Sequence, residues 1–177
     1  GRARQLGREL LQGARRHDYL YASNGAAIGE GPPLALGAAV ACPDRKVVLL
    51  QADGSGMYTV QALWSIARED CDITIIVLKN DEYGILNVEL ARVREGEATD
   101  KMLSMLKLAP PSIGWVQIAE GMGVVATYAD TAESFHAQLR EALETKGPRL
   151  IEAKVAWDLT PAIDAIYKSS RAKDREA

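Results

Sequence analysis

A chain of 177 residues, 47% hydrophobic and 25% charged, has the size and composition of one globular domain with a real core. Its 21 basic and 24 acidic residues leave a formal charge of −3, and no basic block or aromatic-basic interleaving marks a surface for a phosphate backbone, which argues against nucleic-acid binding. No apolar stretch approaches the ~20 residues of a membrane span and no charged-then-apolar signal segment opens the chain, so a soluble, cytoplasmic protein is expected.

Residues 1–16 begin with Gly rather than Met and read as a lead-in left from a longer chain. A weak strand candidate at 19–22 precedes "SNGAAIGEGPPLALGAAVACPDRKVV", residues 23–48, which reads as a Gly-rich turn leading into a helix. A strong strand candidate follows at 47–51, then a helix in which Val60, Leu63, Trp64 and Ala67 recur at helical spacing, then a strand at 73–78. Such an order predicts a right-handed βαβ unit. The next stretch, about 88–111, carries Arg92, Arg94, Met102 and Met105, a mixture suited to a solvated helix end with some core packing. A strand at 124–127 leads to a helix whose Phe135, Leu139, Ala142 and Leu143 share a face, with Asp130 and Glu133 as its expected capping pair and Lys146, Gly147 and Pro148 as its stop. The last strand is expected at 150–155, and 158–177 reads as a C-terminal helix with the polar tail "KSSRAKDREA". Strands alternating with amphipathic stretches predict a three-layer α/β/α fold, and near-continuous apolar runs predict a mostly parallel sheet buried on both faces. Cys42 and Cys71 lack CxxC spacing and are expected as reduced core thiols; His17 and His136 are isolated and expected at the surface.

Two loops carry the chemistry. "QADGSGMYTVQALW", residues 51–64, places Asp53 among small residues just past a strand, and "VLKNDEYGIL", residues 77–86, places Asn80 just past the next one. Ligands of open parallel sheets sit beyond the carboxyl ends of the strands, and adjacent strands would bring these two side chains together. One anionic and one amide oxygen suit Mg²⁺ or Ca²⁺, and Mg²⁺ with few protein ligands completes its shell with water and phosphate. Gly54, Ser55 and Gly56 allow close backbone approach, and a helix expected to begin near Tyr58 offers free amides to an anion. The plainer alternative makes Asp53 a helix cap or turn residue. As a charged loop residue, Asp53 is expected to contribute little to core packing.

With small residues around the first acid and a Tyr-Gly pair after the second polar group, the two loops resemble the metal-diphosphate motif of thiamine-diphosphate-dependent enzymes, a GDG followed at comparable separation by NN. The stretch 17–157 resembles the diphosphate-binding domain of the acetolactate synthase and benzoylformate decarboxylase family. The resemblance implies thiamine diphosphate and Mg²⁺ as cofactors, with Asp53, the Asn80 side-chain oxygen and the Glu82 carbonyl as metal ligands. It places the diphosphate on Gly54, Ser55 and the amides near Tyr83 and Gly84, with Tyr58 close by. It also implies that Ile28 is the apolar wedge under the bent cofactor, and that the carbonyl of Ala26 and the amide of Ile28 meet the aminopyrimidine edge; without it, Ile28 is an apolar residue in a turn before a helix.

Three positions depart from the family pattern: Ala52 stands at the first Gly of GDG, Lys79 at the first Asn of NN, and Ala26 where the family often has Gly. The family's catalytic glutamate lies on an N-terminal pyrimidine-binding domain of a neighbouring subunit, so no Glu of this chain is nominated for it. The resemblance therefore implies as partners N-terminal pyrimidine-binding and middle domains, a homodimer or homotetramer, and a small 2-oxo acid substrate, with the present chain inactive alone. The alternative is a degenerate relative serving as a binding or assembly module. A dinucleotide-binding reading fails because no GxGxxG follows a first strand.

Overall fold

The computed structural model describes residues 17–20, 27–93 and 98–156. In chain order the elements are α1 (Gly31–Ala41), β1 (Val47–Ala52), α2 (Asp53–Gly56), a 3₁₀ turn (Met57–Thr59), α3 (Ala62–Arg68), β2 (Ile73–Lys79), α4 (Gly84–Val93), α5 (Asp100–Ser104), α6 (Trp115–Gly121), β3 (Val125–Ala129), α7 (Ala132–Glu144) and β4 (Arg149–Lys154). The four strands form one sheet in the order β1-β2-β4-β3, and every pairing is parallel. All four strong strand expectations are met within a residue or two; the weak one at 19–22 and the C-terminal segment 158–177 fall partly or wholly outside the described residues.

Local sequence explains where the helices start. Pro32 and Pro33 occupy the first turn of α1, where a missing N–H removes a donor that has no intrahelical partner anyway. Helix α7 is capped by Thr131, whose side chain accepts the Ser134 amide, while Ser134 returns a bond to the Thr131 backbone. The expected pair Asp130 and Glu133 lies one residue too early, since Thr131 and Ser134 form the reciprocal box. At the other end of α7, Lys46 Nζ donates to the carbonyls of Ala142 and Thr145 at 3.1 and 2.8 Å, a cation at the negative end of the helix dipole.

One sheet face carries the main core. Leu63 and Ile66 of α3, Ala35 and Ala39 of α1, and Trp115 and Ala119 of α6 pack on Ile73, Ile75, Val77 and Leu150. The opposite face is covered by α7, where Ala142, Phe135 and Leu139 meet Ala129 and Ile151. Burial on both faces therefore holds for β2 and β4, whereas the outer strands leave Val48 and Leu50 of β1, and Val125 and Tyr128 of β3, exposed. The expected stripe on α3 also shifts. The buried face centres on Leu63 and Ile66, and because successive residues turn by about 100°, Trp64 points well away from Ile66 and lies exposed beneath the Arg68 guanidinium, 5.4 Å from its ring centroid. Leu143 is likewise exposed on α7. Cys71 is a buried core thiol, but Cys42 is only half-buried at the end of α1; both are free. His136 is exposed as expected.

Candidate diphosphate and metal site

Parallel pairing of β1 with β2 sets Ala52 opposite Leu78, so the chain leaves both strands at the same end of the sheet and Asp53 meets residues 80 and 81. Only a short 3₁₀ helix (Met57–Thr59) begins near Tyr58; the backbone already turns helical at Asp53, and the α-helix expected there starts at Ala62. Asp53 is 1% exposed, contrary to the expectation of a loosely packed loop residue. Its Oδ1 accepts the Gly54 amide at 2.8 Å, and its Oδ2 accepts the amides of Asn80 and Asp81 at 3.1 and 2.8 Å. Among the described residues no cationic side chain pairs with this carboxylate.

The second loop is equally determined. Asn80 Oδ1 accepts the Glu82 amide at 3.2 Å, closing a side-chain turn typical of Asn. Asp81 takes φ +57°, a left-handed conformation that Asp tolerates better than most residues. The segment 106–108 straps the loop from outside: Tyr83 N–H donates to Leu106 and Leu108 N–H to Asp81, both at 2.8 Å. The Tyr83 amide is thereby engaged. The Glu82 carbonyl takes no part in those two bonds, and Gly84 opens α4, where the Leu86 and Asn87 amides donate to the Tyr83 carbonyl and the Gly84 and Ile85 amides precede the first such bond.

Close approach accounts for the glycines. A Cβ on Gly54 would stand 2.6 Å from the Tyr83 ring, so the two loops touch only because position 54 has no side chain. A Cβ on Gly56 would stand 2.7 Å from Trp115 in the core. Ser55 Oγ accepts from Gln51 Nε2 and donates to the Ala52 carbonyl at 3.3 Å. Ala52 has φ −84°, so replacing the motif's first glycine forces no strained backbone.

Ile28 and Gly29 form the middle of a turn closed by Glu30 N–H to Ala27, with Gly29 at φ +89° and its carbonyl accepting Thr59 Oγ1 at 2.5 Å. Ile28 and Tyr58 are both largely exposed beside this turn, since the Gly29 position abuts the Tyr58 Cβ. Ala26 lies outside the described residues.

Sequence reading missed an ionic network beside the second loop. Lys79 Nζ lies 3.1 Å from Glu152 Oε1 and 3.5 Å from Asp81 Oδ1, and donates to Ser112 Oγ at 2.5 Å. Burial alone would lower the Lys79 pKa, but the hydrogen bond and charge of Glu152, followed by the charge of Asp81, outweigh it and hold the ammonium above the usual lysine value. The available signal was an acid, Glu152, set inside the apolar run of β4.

Whether these residues suit a divalent cation can be judged from the donors. The buried Asp53 carboxylate is held only by N–H groups, its Oδ1 accepts one bond and keeps a lone pair, and the Asn80 amide oxygen and the Glu82 carbonyl stand in the adjoining loop. Among the described residues there is no cluster of three His, Cys, Asp or Glu; the donors present here are oxygens, the type that Mg²⁺ and Ca²⁺ take.

Comparison with known proteins shows the family. The family model described as "Thiamine pyrophosphate enzyme, C-terminal TPP binding domain" matches residues 4–153, and the chain belongs to that family, as the cofactor-binding domain of a thiamine-diphosphate-dependent enzyme. Its relatives include IlvX of Mycobacterium tuberculosis, which bears the name of an acetolactate synthase large subunit and is 48% identical over 83% of this chain and 28% of its own length. The benzoylformate decarboxylase of Pseudomonas aeruginosa is 35% identical over 76% of this chain and 24% of its own. Among solved structures, the thiamine diphosphate-dependent 4-hydroxybenzoylformate decarboxylase of Rhodococcus jostii matches with a TM-score of 0.66 at 39% identity, over 74% of this chain and 24% of that one. The chain thus spans about a quarter of the length of the relatives it matches. Among the described residues no helix is long and apolar enough to cross a membrane.

Proposed function

We propose that residues 17–157 hold the diphosphate and Mg²⁺ of thiamine diphosphate in an enzyme that decarboxylates or condenses small 2-oxo acids. The observation that carries this reading is the buried Asp53 carboxylate, fixed by amides of both loops and left without a cationic side chain among the described residues. Asp53, Asn80 Oδ1 and the Glu82 carbonyl would hold the metal. Gly54, Ser55, Gly84 and the backbone around Tyr83 would face the diphosphate, with Tyr58 at the rim and Ala26 and Ile28 toward the aminopyrimidine. When bound, the cofactor supplies the carbanion chemistry.

The chain's own residues bind and orient. Asp53 supplies the formal charge that attracts the cation; the amides that hold it stop the carboxylate from swinging away. Gly29, locked by Thr59, presents Ile28 at the tip of a rigid turn, which suits it to fix the shape of a bent ligand. Such anchoring stabilises ground and transition states alike, so it raises affinity rather than the chemical rate. Proton transfer at the aminopyrimidine is assigned to a residue outside this chain, in a partner pyrimidine-binding domain of a homodimer or homotetramer, and this chain alone is inactive. The substrate class follows from the relatives named for acetolactate synthase and benzoylformate decarboxylase.

The test is calorimetric titration of the full-length protein with thiamine diphosphate, with Mg²⁺ and then with EDTA. Binding in Mg²⁺ that disappears in EDTA supports the reading; equal affinity in both removes the metal assignment.

A further inference from the structure

We propose that Lys79 is a positioning residue that holds the Asp81 carboxylate out of the metal site, so that a bound diphosphate meets one carboxylate there, that of Asp53, rather than two. This rests on the reading of the two loops given above.

Asp81 lies between the two proposed ligands of its loop, and its backbone is pinned. Its N–H donates to Asp53 Oδ2 and its carbonyl accepts from Leu108, both at 2.8 Å, so the residue cannot leave the neighbourhood of Asp53. Only its side chain has a choice of direction. That side chain is engaged by residues other than those around Asp53, with Oδ1 accepting Ser112 Oγ at 2.7 Å and facing Lys79 Nζ at 3.5 Å. The hydrogen-bond sense is consistent throughout: Lys79 donates to Ser112, which donates to Asp81.

What fixes Lys79 is the sheet. Its Nζ pairs with Glu152, which is 5% exposed on β4 and whose second oxygen accepts the Val116 amide at 3.1 Å in the first turn of α6. One cation therefore stands between two carboxylates, one locked in the core and one on the loop. Lys79 is anchored to Glu152, and Asp81 follows Lys79. A neutral residue at position 79 would leave the Asp81 carboxylate with only the Ser112 hydroxyl among these partners. A second negative charge turned toward the cation would bind bare Mg²⁺ at least as well, but it would repel the diphosphate.

These opposite effects separate positioning from general loss of structure. Lys79→Met alone would strand a buried Glu152 charge, so the informative protein is the full-length Lys79→Met/Glu152→Gln variant, compared with the same protein carrying Asp81→Asn as well. Calorimetry with thiamine diphosphate at saturating Mg²⁺, and with Mg²⁺ alone, gives the two affinities. The double variant is expected to bind thiamine diphosphate about tenfold more weakly while Mg²⁺ alone binds no more weakly, and adding Asp81→Asn is expected to restore most of the diphosphate affinity. Unchanged diphosphate affinity in the double variant, parallel loss of both affinities, or failure of Asp81→Asn to rescue would each overturn the inference while leaving the site reading intact. Absence of Mg²⁺-dependent binding in the wild-type protein would overturn both.

Discussion

Replacing Asp53 separates its structural role from its proposed metal role. Asp53→Ala removes the acceptor for three amide bonds at a position that is 1% exposed. Hydrogen bonds to charged groups contribute about 1.5–3 kcal/mol each, but they are not additive and water can enter the void, so the expected loss is about 3–5 kcal/mol. Asp53→Asn has the same shape. Its amide oxygen can take the place of Oδ2 and keep the Asn80 and Asp81 bonds, while its NH₂ group meets the Gly54 N–H; one bond is lost, at about 1–3 kcal/mol. Hydrogen-exchange mass spectrometry on peptides spanning β1 and β2 reads these losses locally, and exchange in Asp53→Ala should accelerate about 100-fold or more. A second readout concerns ligand. At about 100 times its dissociation constant, thiamine diphosphate with Mg²⁺ should stabilise the wild-type protein by about 2.7 kcal/mol, and neither variant should gain that increment. Wild-type protection in Asp53→Ala would refute the buried hydrogen-bonding role, and a full Mg²⁺-dependent increment in Asp53→Asn would refute the charge argument.

Gly56→Ala puts a Cβ 2.7 Å from Trp115 Cη2 and 3.1 Å from Gln51 Cγ, an overpacking expected to cost about 1–3 kcal/mol and to shift Trp fluorescence; an unchanged Tm would show that the core yields there. Burial, with the charges of Glu69 and Asp70 adding to it, raises the Cys71 thiol above its usual 9.0, so Ellman's reagent at pH 8 should label half-buried Cys42 well before Cys71. Because the folded state holds that proton more tightly than the unfolded chain, Cys71 leaves stability untouched below pH 9.0 and lowers it as pH rises through the folded value; equal labelling of both thiols at pH 8 would contradict this.

The two inner strands, β2 and β4, were legible in the sequence because a parallel strand in the middle of a layered sheet must be largely apolar along its length, as in "ITIIVLK"; the edge strands β1 and β3 are short β-rich runs that keep only one face buried. The meeting of Asp53 with residues 80 and 81 was legible too, since consecutive parallel strands that pair side by side release their chains at the same edge. Family membership followed from the same two loops. Other features are not encoded by local pattern. Trp64 fits the helical period as well as Leu63 does, and only the direction in which α3 meets the sheet put Ile66 inward and Trp64 out. Asp53 read as a loop residue because its three donors come from its own turn and from a loop across the sheet, and the amides that bury it carry no sequence signature. Lys79 looked like a defect in a motif. Its meaning depends on Glu152, brought beside it by pairing of β2 with β4, and on Ser112, delivered by the strap after α5. Short-range periodicity reports how much of a residue must be buried; which charges then stand together is set by strand order, and that is a property of the assembled sheet.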